Sequence, residues 1–392
     1  MNKSIFALFL SILFLVFSCK QKASSAQIDD VESQSEVIQL KYAKGFQIKA
    51  YSNFKVLEIL KPWKDSQKIY RFAIINKNDN IRAESLSEKL SKTSLYDGVI
   101  ISPLQSIVVT STTHLPALEL LDEADKLVGF PGTDYISSKK IRTLIKAGKV
   151  KDLGQNNGLN TEILLALNPD AVITFGIEST NKAAENIEKA NIPVIYNGEW
   201  IEQTPLAKAE WIKMFGVLFN KEEQARETFN HIENEYLKAK ATAQKATIQP
   251  TVLSGAMYRG VWYLPSGQSP EAQLLKDANT NYLWKDTKEE GSLELSFESV
   301  LEKGQEADIW LSPSNYGSYR DLKAANKLYE KFKAFKQQSI FSFVNTKGDT
   351  GGLLYFEMGT ARPDLVLKDL IKIAHPKLMK DDTFTFYKPL KD

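Results

Sequence analysis

KEEQARETFNHIENEYLKAKATA, residues 221–243, lies in the middle of this chain and contains no glycine or proline. Its apolar residues recur at spacings of four, three, four and three: Ala225, Phe229, Ile232, Tyr236 and Ala239. This spacing places them on one face of an α-helix whose other faces are charged. At about 1.5 Å per residue the helix would be roughly 35 Å long, about the width of a small domain. We therefore predict a long helix that links two lobes.

Short apolar runs alternate with amphipathic segments on both sides of this helix. A strand–helix succession begins at Ile107–Ser111, and the same succession restarts at Thr251–Ser254. Such alternation is typical of βαβ units and of a mainly parallel sheet. The sequence therefore predicts an α/β fold with two lobes, each built on its own sheet.

The two halves also share a repeated unit. Glu162–Leu165 followed by Ala171–Thr174 aligns without gaps with Glu298–Leu301 followed by Ala307–Trp310. In each half a predicted helix with a glutamate at its start leads into a predicted buried strand. Similar βα units also arise by chance, so the repeat alone leaves both explanations open. Together with the long helix between the units, it indicates two related lobes.

The first residues predict export. Lys3 is followed by an apolar run from Ile5 to Phe17, which is typical of a secretory signal and too short for a permanent membrane span. The run ends in Ser18-Cys19, a pattern that resembles a bacterial lipobox. Cys19 is the only cysteine of the chain, so no disulfide framework explains it. We expect Cys19 to be acylated; the alternative is an ordinary signal peptide that happens to contain a cysteine.

These patterns divide the chain into five parts. The segment after Cys19 is rich in Lys, Gln, Ser and acidic residues without an apolar period, as expected of a flexible stalk. The predicted parts are a signal peptide (1–18), a lipid-anchored stalk (19–40), an N-terminal α/β lobe (41–205) with a β appendage (41–80), linking helices (206–247) and a C-terminal α/β lobe (248–392).

Composition excludes several classes of function. The 50 Lys and Arg residues nearly balance the 48 Asp and Glu residues and form no long run of one sign, which disfavours binding to nucleic acid. Only three histidines are present, which disfavours a dedicated transition-metal site. The sequence contains no zinc-protease His-Glu-x-x-His motif, no Gly-x-Ser-x-Gly nucleophile motif and no phosphate loop. We expect neither an enzyme nor a cofactor.

Many short segments, in their order along the chain, resemble a known family. In the first half these are Ile107–His114, Leu127–Gly129, Asp152–Gly154, Asn160–Ile173 and Gly198–Met214. In the second half they are Trp262–Gly267, Leu274–Asp277, Gly291–Phe297, Ala307–Ser312 and Asp369–Leu378. Over roughly residues 40 to 390 the chain is similar to the solute-binding proteins of ABC importers for iron–siderophores, haem and cobalamin, in particular to lipoproteins of Bacteroidetes-like bacteria.

This resemblance implies a function and partners. It implies two Rossmann-like lobes joined by a rigid helix, with a ligand cleft between the lobes. The protein would capture a metal chelate, with iron–siderophore the first choice and haem or cobalamin the others, and deliver it to an ABC permease dimer with its ATPase. It would lie in the cell envelope, lipid-anchored to a membrane and facing the periplasm or the exterior. The alternatives are a cell-envelope enzyme, a surface module that binds haem or a protein partner, and a binder of bare metal ions.

Ligands of open α/β sheets bind beyond the carboxyl ends of the strands. Aromatic, hydroxyl and cationic residues at or near the predicted strand ends are therefore the candidate cleft residues: Thr112, Thr113, His114, Phe175, Trp200, Tyr258, Arg259, Trp262 and Tyr316. Each has a structural alternative, since about half of the aromatic residues would belong to the lobe cores. Glu162 and Glu298, at matching positions in the two halves, are the candidates for docking onto the permease, because the resemblance implies one such glutamate in each lobe. In the second half Glu294 and Glu302 could take the place of Glu298, and the structural alternative is that each glutamate only complements the positive end of its helix.

Overall fold

The structure, a computed structural model, describes residues 36–78, 83–156, 158–179, 182–379 and 383–392. The predicted signal peptide, Cys19 and most of the predicted stalk lie outside these residues. The α-helices of the described residues are Ala83–Ser91, Leu115–Leu120, Lys139–Lys146, Thr161–Leu167, Lys182–Lys189, Pro205–Glu210, Ile212–Leu218, Glu222–Ala243, Pro270–Asp277, Phe297–Gly304, Tyr319–Ala325, Lys333–Lys336, Leu354–Met358 and Pro363–Ala374. Short 3₁₀ turns are found at Thr112–His114, Ala124–Lys126, Thr133–Tyr135, Glu199–Ile201 and Lys327–Lys331.

The first lobe is built on a five-stranded sheet in which every strand pairs in parallel. Its strands, in spatial order, are Val194–Tyr196, Ala171–Thr174, Ile107–Val109, Leu127–Phe130 and Lys151–Asp152. The three residues of the central strand Ile107–Val109 are all buried, as expected where helices cover both faces of a parallel sheet. A separate pair of short antiparallel strands, Gly154–Gln155 and Gly158–Leu159, follows the edge strand Lys151–Asp152 in the chain.

The second lobe repeats this plan. Its five-stranded sheet has the order Asn281–Tyr282, Thr251–Ser254, Ile309–Leu311, Ile340–Ser342 and Lys388–Pro389. The first four strands pair in parallel, and the last pairs antiparallel with Ile340–Ser342. A three-stranded antiparallel sheet of Ala256–Tyr258, Val261–Pro265 and Ser292–Leu295 also belongs to this lobe. The α/β fold with mainly parallel sheets is confirmed.

The helix Glu222–Ala243, hereafter the spine helix, links the two lobes. All five residues of its predicted apolar face are buried. Ala225, Phe229 and Ile232 belong to the hydrophobic core of the first lobe, whereas Tyr236 and Ala239 belong to that of the second. A single rigid helix therefore takes part in both cores. Among the helices of the described residues, none is long and apolar enough to cross a membrane.

A third five-stranded sheet, hereafter the third sheet, precedes the parallel sheet of the first lobe in the chain. Its strands are Glu36–Ile38, Phe46–Ala50, Lys55–Ile59, Tyr70–Asn76 and Gly98–Ser102, all antiparallel except for the last pair. Helix Ala83–Ser91 covers one face, while the other face joins the core of the first lobe. The sheet thus extends past residue 80, where the sequence placed the end of the β appendage.

Two buried carboxylates attach the segment between the first two strands of this sheet to the helix Pro205–Glu210 and to the turn before it. Glu210 accepts hydrogen bonds from the backbone N–H groups of Lys41, Tyr42 and Ala43. Glu202 accepts from the N–H of Gly45 and from the indole of Trp211. Since each carboxylate is almost fully buried and multiply hydrogen-bonded, the third sheet is held firmly on the rest of the molecule.

Candidate ligand-binding cleft

A cavity of about 520 Å³ lies between the two lobes. The first lobe contributes the carboxyl ends of three parallel strands, through Thr110–Thr112, Phe130–Pro131 and Phe175. The second lobe contributes Asn315, Val344 and the segment from Lys347 to Phe356. Strand ends from both sheets thus meet at one site, where side chains from distant parts of the chain can contact one ligand.

Two further cavities extend this space. One, of about 370 Å³, is lined by Trp200, Tyr263, Phe343 and Tyr387, among others; the other has a volume of about 210 Å³. Phe356 lines all three cavities, and its side chain is 53% exposed although it is a large apolar group. Together the three cavities form what we call the cleft, with the helix Leu354–Met358 at its centre.

The cleft walls are mainly aromatic and neutral. In the main cavity Phe130, Phe175 and Phe356 supply rings, while hydroxyl and amide groups come from Thr110, Ser111, Thr112, Asn156 and Asn315. Lys347 is the one charged residue among those that line it in the described part of the chain. Lys208 and Glu271, of opposite charge, line both smaller cavities. This environment suits a ligand with a large apolar surface, several polar groups and little net charge.

A glycine-rich loop of the second lobe closes one side of the cleft. A Cβ atom on Gly352 would lie 2.1 Å from the carbonyl oxygen of Tyr135, and one on Gly348 would lie 2.6 Å from the Cα atom of Ser137. Gly351 adopts a φ of +96°, a conformation that side chains disfavour. These glycines therefore allow the loop to approach the backbone of the first lobe closely.

The helix that follows this loop makes a buried polar contact with the first lobe. The backbone N–H of Ser137 donates to Oε2 of Glu357, at 2.5 Å. The Glu357 side chain is almost fully buried, and burial raises its pKa to about 7; the N–H of Ser137 opposes this shift, and the carboxylate of Glu119 adds to it. Glu357 Oε1 and Ser137 Oγ are buried without a hydrogen-bond partner among the described residues.

Four of the predicted cleft residues line the cleft. Thr112 and Phe175 lie in the main cavity, Thr112 and Thr113 in the smallest one, and Trp200 in the third. The indole N–H of Trp200 donates to the carbonyl oxygen of Gly176 at 3.1 Å, which fixes the ring while 39% of the residue remains exposed.

Trp262 does not lie in the cleft, contrary to the prediction. It is fully buried, stacks on Trp310 with ring centroids 5.5 Å apart, and donates its indole N–H to the carbonyl oxygen of Ser254. Successive side chains of a strand lie on opposite faces, so its neighbour Tyr263 is the residue that lines the cleft. The sequence located the correct strand but the wrong side chain.

His114 does not line the cleft either. Its side chain is almost fully buried, its ring centroid lies 6.4 Å from that of Phe215, and its Nδ1 atom has no hydrogen-bond partner in the described structure. Burial lowers the pKa of His114 to about 3, so the ring is neutral at physiological pH. We therefore assign His114 to the packing of the first lobe.

Tyr258, Arg259 and Tyr316 are not among the residues that line the three cavities. Tyr258 and Arg259 form the exposed turn of the hairpin Ala256–Pro265, where the guanidinium lies 5.1 Å from the centre of the Tyr258 ring. Tyr316 is half-buried against the core of the second lobe.

The two candidate docking residues lie in equivalent places. Glu162 is in the first turn of helix Thr161–Leu167, and Glu298 is in the first turn of helix Phe297–Gly304. Both side chains are exposed. Their contact with a permease stays a prediction.

Sequence reasoning missed several residues that form the cleft. Tyr135, Lys347 and Phe356 line the main cavity, and Gly348 and Gly352 close its side. The clustered glycines of Lys347–Gly352 were an available signal, because such clusters mark close backbone approach. No local pattern distinguished Phe356 from a core residue.

Across the described residues there is no group of three or more His, Cys, Asp or Glu side chains that could hold a metal ion.

Comparisons with known proteins agree with this architecture. The family described as periplasmic binding proteins matches residues 107–344. An uncharacterised lipoprotein of Methanocaldococcus jannaschii is 27% identical over 364 residues, which cover 89% of this chain and 84% of the relative.

Two solved structures are similar in fold. A periplasmic solute-binding protein of Veillonella parvula has a TM-score of 0.56 at 19% identity, covering 72% of this chain and 84% of its own. A periplasmic haem-binding protein of Roseiflexus sp. RS-1 has a TM-score of 0.53 at 16% identity, covering 69% and 99%. At these identities the similarity concerns the fold.

Proposed function

The chain belongs to the periplasmic binding protein family, which is made up of solute-binding proteins, and on this premise we propose that it is the lipid-anchored solute-binding component of an ABC importer. Its ligand is a metal chelate, with iron–siderophore the first choice and haem or cobalamin the alternatives. It binds and delivers this ligand and catalyses no reaction. The single observation that carries the proposal is the cleft between the lobes, lined by aromatic and neutral polar side chains from both.

The size and walls of the cleft support an organic ligand. The main cavity, at about 520 Å³, falls within the range of about 300–1,000 Å³ that is usual for small-molecule sites. Rings such as Phe175, Trp200 and Phe356 bury a large area against a flat or bulky ligand, and neighbouring hydroxyl groups can orient it.

The inventory of polar groups supports a chelate over a bare ion. Zn²⁺ and Mn²⁺ need several imidazole, thiolate or carboxylate ligands, and the described residues contain no cluster of them. A chelated metal already has its ligands, so the protein has to recognise only the organic shell. Because Lys347 is the single cation that lines the described wall of the main cavity, a neutral or weakly anionic chelate fits better than a highly charged one.

The anchor and the partner complete the proposal. A lipid on Cys19 would hold the protein at a membrane surface in the cell envelope; two or more acyl chains, at about 0.8 kcal/mol per buried CH₂, give stable attachment. Glu162 and Glu298 would dock the two lobes onto the two halves of an ABC permease dimer, which works with its ATPase. Carboxylates pair well with arginine, and such pairs orient as well as attract.

Native mass spectrometry of the mature protein tests this function. The panel consists of ferric trishydroxamate and triscatecholate siderophores, haemin and cyanocobalamin, with Zn²⁺ and Mn²⁺ alone as controls. We expect one class of chelate to bind at a ratio of one to one and the bare ions to bind weakly or not at all. Tight binding of a bare ion, or turnover of substrates in a hydrolase panel without chelate binding, would contradict the proposal.

A further inference from the structure

The helix Leu354–Met358 connects the cleft to the contact between the lobes. Tyr355 and Phe356 line the cleft, and the next residue, Glu357, reaches the first lobe. The helix also packs against the turn Thr112–His114 and the helix Leu115–Leu120 of the first lobe. The position of the aromatic wall therefore depends on how Glu357 is held.

The polar groups that face the Glu357 carboxyl group are uncharged: the N–H groups of Ser137 and Ser138 and the hydroxyl of Ser137, all of which oppose the rise in its pKa. Its Oε2 atom accepts from the N–H of Ser137, while Oε1 and the hydroxyl oxygen of Ser137 are both buried without partners among the described residues. In the part of the chain that the structure describes, the Glu357 carboxyl group forms no ion pair. A buried carboxylate without a cation is costly, whereas a protonated carboxyl group carries no charge and supplies a donor.

Other ionisable groups on the segments that pack against helix Leu354–Met358 do not compensate the negative charge of an ionised Glu357. His114 on the neighbouring turn is neutral, because burial lowers its pKa to about 3. Glu119 on helix Leu115–Leu120 is itself acidic and disfavours a second negative charge. The remaining ionisable residues on the neighbouring segments are Tyr135 in the first lobe, Lys347 and Asp349 in the glycine-rich loop, and Tyr355 on the same helix as Glu357. Among these only Lys347 is cationic, and its side chain is exposed on the loop.

We propose that Glu357 is a positioning residue of the cleft, which in its protonated form holds the Tyr355–Phe356 wall against the first lobe and so raises the affinity of the cleft for its ligand. This proposal rests on the proposed function for the ligand, but the contact itself can be tested without one.

The direction of the pH dependence follows from the carboxyl group. Burial in this contact raises the pKa of Glu357 from an ordinary value of 4.5 to about 7. In contact with Ser137, the Glu357 carboxyl group therefore binds a proton more tightly than a solvated carboxylate would. The stability that this contact adds is fully present below pH 4.5 and is lost as the pH rises to about 7. The wall is thus held more firmly in mildly acidic than in alkaline solution.

The first experiment needs no ligand. Amide hydrogen exchange of the segment around Ser137 is compared between the wild-type protein and Glu357→Gln at equal pH, which removes the intrinsic effect of pH on exchange. The glutamine amide stays neutral and can still accept from the Ser137 N–H. We expect the two proteins to be equally protected at about pH 4, and the wild type to lose at least about tenfold in protection relative to the variant by about pH 8. A ratio that does not change with pH would overturn the proposal.

The second experiment measures binding of a ferric trishydroxamate through quenching of tryptophan fluorescence. We expect wild-type affinity to fall about tenfold between about pH 5.5 and about pH 8, and that of Glu357→Gln to stay constant. Glu88→Gln makes the same change at an exposed residue of helix Ala83–Ser91, away from the cleft. The affinity of this variant should depend on pH as that of the wild type does. Identical pH profiles for the wild type and Glu357→Gln would overturn the proposal. If the chelate binds at no pH, that result counts against the proposed ligand class, and hydrogen exchange alone decides the role of Glu357.

Discussion

Glu162 and Glu298 occupy the same position in two equivalent helices, one in each lobe. Each is the second residue of its helix and follows an N-cap residue, Asn160 or Ser296, whose side-chain oxygen accepts from the N–H three residues later, at 3.1 and 3.2 Å. Both carboxylates are exposed. A carboxylate in a first helical turn stabilises its helix by only about 0.3–1 kcal/mol, so either residue can be replaced without unfolding the protein.

Removal of both carboxylates tests docking onto the permease. We expect the Glu162→Ala, Glu298→Ala double variant to fold and to bind chelate normally, yet to lose association with the permease and chelate uptake, because no carboxylate remains at either docking position. Uptake of labelled chelate by cells measures the effect. Glu302→Ala, one turn further along the second helix and also exposed, is the matched control and should transport normally. Normal uptake by the double variant would leave only the helix-stabilising role.

Trp262 and Trp200 should respond in opposite ways to replacement by alanine. Trp262→Ala removes a fully buried indole from a cluster with Trp310, Tyr329 and Phe332, so we expect a loss of about 3–5 kcal/mol in the free energy of unfolding. Trp200→Ala should cost less than about 1.5 kcal/mol, since this residue is partly exposed, but should weaken chelate binding. Chemical denaturation and ligand titration of both variants provide the measurements. A Trp262→Ala protein of wild-type stability would refute its assignment to the core.

Phe356 should be the most sensitive aromatic residue of the cleft, because it lines all three cavities. We expect Phe356→Ala to weaken chelate binding by about 1–3 kcal/mol with little change in melting temperature. Tyr258→Ala is the control: this residue is similarly exposed, at 56% against 53%, but does not line the cavities. Equal losses of affinity in both variants would show that the ligand extends beyond the cleft to the hairpin.

Cys19 is expected to carry the lipid anchor. Because the lipid is attached through the cysteine sulfur, Cys19→Ala should incorporate no labelled fatty acid and should leave the membrane fraction or remain uncleaved. Cys19→Ser tests the same point with a smaller change in shape. Normal acylation and membrane fractionation of either variant would contradict the anchor.

Residues close together in the chain were sufficient to predict the α/β lobes and the spine helix. The apolar face of Ala225–Ala239 repeats with the period of a helix, and this period is a local property of the sequence. The repeat that contains Glu162 and Glu298 likewise predicted helices that the structure contains. Strand ends could also be located, and Thr112, Phe175 and Trp200, chosen for their places near such ends, line the cleft.

Contacts between distant parts of the chain decided the rest. Trp262 and Tyr263 are adjacent aromatic residues on one strand, and only the packing of the sheet decides which of them is buried. Ser137 and Glu357 are separated by 220 positions, so no local period records that they meet. Burial in that contact also raises the pKa of Glu357, since desolvation depends on the neighbours that folding brings to it. Local periodicity thus specified the lobes and the helix between them, whereas the walls of the cleft and the protonation of Glu357 arise only where the two lobes meet.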